Sequence, residues 1–193
     1  MNFQIFVVSF VFSTFFYRLS SAFVIPQGAP AANETNVVEN HHHDETSYNW
    51  LHCKNGYNLQ ILPNGTVKGV RGKDEYAVID ISNAGVGLVS LRGVASELYV
   101  SMTRRGTVHA EAVILNTSHF YEEIGDDNYH TYWSSVDPSD EKKMFLAVNS
   151  FGYVRKKQNR TKQMTHFVRT PLTSDDRRIY ISRLASRPQP ADS

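Results

Sequence analysis

An all-β domain of about twelve short strands, closed as a barrel of three similar units, is the fold class this chain predicts, and three observations predict it. LQILPNGTV from Leu59, VSMTRRGTV from Val100 and LAVNSFGYV from Leu146 align on Gly65, Gly106 and Gly152, with apolar residues six and four positions before each glycine and a Val two positions after it. Period-two alternation on both sides of a turn-forming glycine reads as a hairpin of half-buried strands. The glycines are spaced 41 and 46 residues apart, the size of a supersecondary repeat. No window keeps a helical apolar period for long. Closure removes the edge strands that a solitary open sheet would expose; an ordinary sandwich with accidental regularity is the competing reading.

Taken in chain order, residues 1–22, MNFQIFVVSFVFSTFFYRLSSA, form a run rich in Phe, Val and Ile that ends in small residues at Ser20 and Ala22. This is the pattern of a secretory signal peptide cut after Ala22, and a secreted, extracellular chain is expected. A retained amino-terminal anchor competes, because the run opens without Lys or Arg, but the apolar stretch falls short of the roughly 20 residues that span a bilayer. Residues 23–47 read as a flexible leader, with Glu34, Glu39, Asp44 and Glu45 and no Lys or Arg. The folded domain is expected over 48–172. Its first hairpin lies between YNWLHC from Tyr48 and YAVIDIS from Tyr76, the second between VGLVSLR from Val86 and HFYEEI from His119, and the third between YHTYWSS from Tyr129 and HFVRT from His166. Residues 173–193, with Pro188 and Pro190, read as a flexible basic tail.

Once residues 1–22 are removed, 19 Lys plus Arg face 19 Asp plus Glu, so affinity for a polyanion has to come from how charge is placed. Arg155, Lys156, Lys157, Arg160 and Lys162 fall within eight residues. Such a cluster attracts sulfate and phosphate alike, and a solvated charge run competes with both. The balanced total charge and the export signal argue against a nucleic-acid module. Cys53 has no intrachain partner and reads as a buried, inert thiol. His41, His42 and His43 precede Asp44 and Glu45, but consecutive side chains seldom converge on one ion, so neither a metal nor a cofactor is expected. Sequons place glycosylation candidates at Asn33, Asn64, Asn116 and Asn159. Asn64 lies in a tight turn, and a glycan on Asn159 would shield the basic cluster. Catalysis is not expected: Glu122 and Glu123, adjacent on one strand, point to opposite faces, as do His52 and Cys53.

The segment from Leu51 to Leu172 resembles a fibroblast growth factor. The resemblance is carried by LHCKNGYNLQILPNGTVKGVR, by GTVHAEAVILNTSHFYEEIGDDNYHTYWSS, and by MFLAVNSFGYVRKK with THFVRTPL. One departure is Ser118, where the family signature usually has Cys; its hydroxyl needs a partner if buried. The resemblance implies a β-trefoil of about twelve strands in three pseudo-repeats. It also implies a secreted ligand, without a catalytic centre, that activates a fibroblast growth factor receptor tyrosine kinase with heparan sulfate as co-ligand and so stimulates growth, migration or differentiation. A viral or invertebrate member is compatible with the compact chain.

Receptor contacts implied by the resemblance are His52, Arg71, Glu122, Asn128, Tyr129, Thr170 and Leu172. His52 stands where Tyr is common, and Thr170 where Leu is. An exposed Tyr buries a rigid ring while keeping a polar tip, and a carboxylate can meet a receptor Arg. The competing readings are that Tyr129 caps the core, that Glu122 is merely solvated, and that Leu172 folds back on the barrel. The heparan sulfate surface implied by the resemblance joins Asn55 to Arg155, Lys156, Lys157, Arg160 and Lys162; Asn149 and Ser150 stand where basic or amide groups are common. The same fold also supports non-signalling carbohydrate-binding and protease-inhibitor proteins, which remain the alternative.

Overall fold

Alternation about each glycine produces the three expected hairpins in a computed structural model that describes residues 48–125, 127–136, 143–158, 160 and 163–185. The export signal, the leader with its His triplet, Asn33, Asn159 and Lys162 lie outside the described residues. The strands are β1 (Tyr48–Cys53), β2 (Tyr57–Ile61), β3 (Val67–Val70), β4 (Val78–Gly85), β5 (Leu88–Gly93), β6 (Tyr99–Met102), β7 (Val108–Glu111), β8 (His119–Ile124), β9 (His130–Ser134), β10 (Phe145–Val148), β11 (Val154–Lys157) and β12 (Phe167–Pro171). Antiparallel pairing runs β1–β4–β5–β8–β9–β12 and returns from β12 to β1. That ring leaves no barrel edge unpaired, which rules out the open sandwich. The remaining strands form the hairpins β2–β3, β6–β7 and β10–β11, joined to the ring at β1, β5 and β9. The fold is a β-trefoil.

Threefold equivalence extends to single atoms. Gly65, Gly106 and Gly152 have φ of +80°, +81° and +82°, in the left-handed region that penalises a β-carbon. Their amides donate to the carbonyls of Leu62, Thr103 and Asn149 at 3.0, 2.7 and 3.0 Å. The hairpins then dock in a cycle. Ala110 on β7 donates to the Gly65 carbonyl at 2.9 Å, and Gly69 on β3 donates to the Gly152 carbonyl at 2.7 Å. The cycle is completed by Lys156 on β11, whose stem lies over Gly106 so closely that a β-carbon there would overlap it.

Inward positions of the strands build one core that includes Leu51, Leu59, Ile61, Leu91, Met102, Phe120, Tyr132, Leu146 and Phe167. Cys53 belongs to this core; burial pushes its thiol pKa up, as expected of an inert residue. The Ser118 hydroxyl finds a partner in Ser101 at 2.7 Å, and both residues are fully buried. Ser118 Oγ also accepts from the Leu115 amide at 3.1 Å.

Residues 174–185, expected as the start of a flexible tail, are helical, in the successive pieces Ser174–Asp176, Arg177–Ile181 and Ser182–Ala185. The physical reason is a second apolar cluster outside the barrel. Trp50, Ala77, Val78 and Leu172 are buried there, with Tyr180 and Ile181 packed against them, and the Tyr180 ring meets Trp50 edge-on at 5.2 Å. Asp176 anchors the segment. It is 5% exposed and accepts from Lys73 Nζ at 2.7 Å, from Thr173 Oγ1 at 2.9 Å and from Trp50 Nε1 at 3.4 Å.

Candidate functional site

Strand alternation sends Glu122 and Glu123 to opposite sides, as the sequence predicts. Glu122 faces the end of the barrel, where His130 Nδ1 lies at 2.7 Å, the Tyr132 hydroxyl donates at 2.8 Å, and Arg169 forms an ion pair. Its side chain is 15% exposed, and it borders a recess of about 370 Å³ shared with Arg169 and residues 85–89. Tyr132 titrates above the usual tyrosine range because it is buried and Glu122 lies beside it; Arg169 opposes the shift. Glu123, on the outer face, accepts from Trp133 Nε1 at 3.0 Å and from Lys143 Nζ at 2.7 Å. Each carboxylate is held by its own partners, an arrangement suited to fixing surfaces and poor for a paired acid and base.

Asn128 and Tyr129 sit on the turn between β8 and β9. Asn128 is exposed at φ +60°, a conformation Asn tolerates better than most residues, and its amide donates to the Gly125 carbonyl at 2.9 Å. Tyr129 is half-buried. Its ring carries Lys54 Nζ 4.2 Å above it and lies 5.6 Å from the His166 ring. The Arg160 guanidinium reaches this same turn, against Gly125.

His52 is exposed on β1 with Nδ1 3.0 Å from Asn58 Oδ1, and it pairs in register with Val168 of β12. Thr170, two residues along β12, is exposed opposite Trp50. Arg71 is exposed with its guanidinium 4.6 Å from the Tyr57 ring centroid. Leu172 differs from these. At 6% exposure it lies in the Trp50 cluster with the helical segment packed on it, and so presents little apolar surface outward.

Three of the basic residues lie on the third hairpin. Arg155 is exposed and Lys156 and Lys157 are half-buried, and none of the three pairs with an acid among the described residues. Asn55 is turned inward. Its amide nitrogen donates to the carbonyls of Val148 at 2.6 Å and Asn149 at 3.2 Å, and its Oδ1 is buried. Asn149 Oδ1 likewise holds its own turn, accepting from the amides of Phe151 and Tyr153 at 2.9 Å each. Both amides shape the basic hairpin from beneath it.

Of the glycosylation candidates within the described residues, Asn64 and Asn116 are both exposed. The third sequon residue after Asn116 is the buried Ser118, so an enzyme could read that tripeptide only before the chain folds.

Sequence reasoning missed Lys54, Arg169, and the Lys73–Asp176 pair. Arg169 was within reach of alternation, because it follows the inward Phe167 by two residues on β12. Lys54 and Lys73 meet their partners only through tertiary contacts, and no local pattern signals them.

Among the described residues no group of His, Cys, Asp and Glu is arranged to hold a metal ion, and no helix is long and apolar enough to cross a membrane. The family model for fibroblast growth factor matches residues 47–168. The chain is 34% identical over 126 residues to fibroblast growth factor 7 of Ovis aries, covering 64% of this chain and 65% of that one. It is 30% identical over 115 residues to fibroblast growth factor 4 of Gallus gallus, covering 58% and 57%, and 29% identical over 154 residues to fibroblast growth factor 3 of Homo sapiens, covering 72% and 64%. The chain thus spans less than two thirds of the length of these relatives. The ring of six strands, the cycle of three hairpins and this match make the chain a member of the fibroblast growth factor family.

Proposed function

We propose that this growth factor is a secreted ligand that binds the immunoglobulin-like domains of a fibroblast growth factor receptor tyrosine kinase and activates it with heparan sulfate as co-ligand. The observation that carries the reading is a fixed hairpin bearing Arg155, Lys156 and Lys157, which pair with no acid among the described residues, on the same barrel as an exposed turn that displays Asn128 and Tyr129. Cations with no protein acid to displace, carried on an ordered strand, meet sulfates without breaking an ion pair or ordering their backbone.

On the receptor side, Tyr129 offers an aromatic edge already held by Lys54 and His166, and His52 and Thr170 are exposed on the neighbouring strands β1 and β12. Glu122 is committed to His130, Tyr132 and Arg169, so its charge is compensated within the chain and its contribution is to hold those side chains in place beside the turn. Leu172 contributes only where the helical segment moves aside.

Binding of immobilised receptor extracellular domains in the presence of heparin tests this reading. The full chain is expected to bind, and Tyr129→Ala to weaken binding about tenfold or more, as truncating a central aromatic anchor does. Retention on heparin with no binding to any receptor extracellular domain would replace the reading with the non-signalling carbohydrate-binding alternative.

A further inference from the structure

Lys156 does not run along its own hairpin alone. Its aliphatic stem crosses onto Gly106, the turn glycine of the second hairpin, and fits there only because that position has no β-carbon. The residues immediately before this glycine are Arg104 and Arg105, both exposed and neither paired with an acid among the described residues. β7 lies against β11 at the same place. Two basic segments about fifty residues apart in sequence are therefore joined through one lysine stem. Beyond the junction, Arg104 borders a recess of about 470 Å³ whose other polar walls include Thr117, His119 and Ser135.

We propose that Arg104 and Arg105 form a second subsite for a sulfated polysaccharide, continuous through Lys156 with the strip on β11, so that the glycan crosses from the third hairpin to the second. The inference rests on the β11 strip being a sulfate surface. The chemistry suits the ligand class. Two exposed guanidinium groups offer forked donors to sulfate oxygens, and Lys156, which alternation turns away from Arg155 and Lys157 and onto Gly106, carries positive charge from β11 toward the second hairpin. Hydroxyl and imidazole groups in the recess can meet the hydroxyls of the sugar rings. Asn116 stands on the rim of the recess, and a glycan attached there would cover the new subsite while leaving β11 open.

The test is the salt dependence of binding to heparin oligosaccharides of two lengths, one matched to β11 and one long enough to cross both hairpins. It uses unglycosylated full chain, with circular dichroism to confirm the fold of each variant. R104S/R105S is expected to leave the short oligosaccharide unaffected. On the long one it should make log Kd against log salt shallower by about one to two, the loss of up to two released counterions. R155S/K157S is expected to weaken both lengths. If R104S/R105S leaves both lengths unchanged while R155S/K157S weakens both, the second subsite is wrong and the β11 surface stands. If neither pair of substitutions changes either length, the β11 reading fails and the second subsite fails with it.

Discussion

Two buried polar groups decide how single residues contribute. Ser118 stands where the family signature usually has Cys, and its hydroxyl satisfies both Ser101 Oγ and the Leu115 amide within a fully buried site. Ser118→Ala leaves both without a partner and should lower stability by about 1–3 kcal/mol, measured by urea unfolding. S101A/S118A should recover part of that loss, since it removes the stranded hydroxyl. Asp176 is the second case. Burial alone would raise its carboxyl, but hydrogen bonds from Lys73, Thr173 and Trp50 outweigh burial and bring it from 3.8 to about 2. A carboxyl with a lowered folded pKa stabilises the folded form above its unfolded value and loses that contribution as pH falls through the folded value. Docking of the helical segment should therefore lose about 2 kcal/mol between pH 4 and pH 2, followed by Trp50 fluorescence in a Trp133→Phe background. Asp176→Asn should abolish this pH dependence. The need for a partner at Ser118 was legible in the sequence. The partners of Asp176 were not, because Trp50 and Lys73 lie more than a hundred residues away.

At the scale of elements, the hairpins were legible and their mutual docking was not. Alternation around Gly65, Gly106 and Gly152 is a local signal, and all three strand pairs lie where it puts them. The cycle that sets each turn against the next hairpin depends on tertiary approach, and so does the inward turn of Asn55, whose partners are Val148 and Asn149. Gly152 tests the docking. A β-carbon at φ +82° would be strained and would stand 2.9 Å from the Gly69 carbonyl oxygen. Gly152→Ala should cost about 1–3 kcal/mol in thermal or denaturant unfolding, more than the same change at the exposed Gly72, whose β-carbon would meet nothing within 4 Å. The helical segment after Thr173 escaped a local reading because its charged and proline-rich surroundings suggest a tail. Its inward residues, the buried Leu172 and Asp176 and the half-buried Tyr180, recur at helical spacing, but what they pack on is Trp50 of the opposite end of the domain sequence.

At the scale of the molecule, threefold architecture divides the work. The closed ring of β1, β4, β5, β8, β9 and β12 provides rigidity without an exposed barrel edge, and the hairpins and turns are left to carry differing side chains. The third hairpin carries Arg155, Lys156 and Lys157, and the turn before β9 carries Asn128 and Tyr129. Ligand function in this account needs both surfaces at once, with the glycan increasing the local concentration of the chain at a receptor. The most direct measurement is receptor phosphorylation in cells that lack heparan sulfate and express a compatible fibroblast growth factor receptor, dosed with full chain or with R155S/K156S/K157S, with and without added heparin. Phosphorylation is expected from the full chain with heparin, with potency at least tenfold lower when heparin is withheld or the three basic residues are replaced. Absence of phosphorylation from every receptor tested with heparin present, or equal potency of both proteins regardless of heparin, would contradict it.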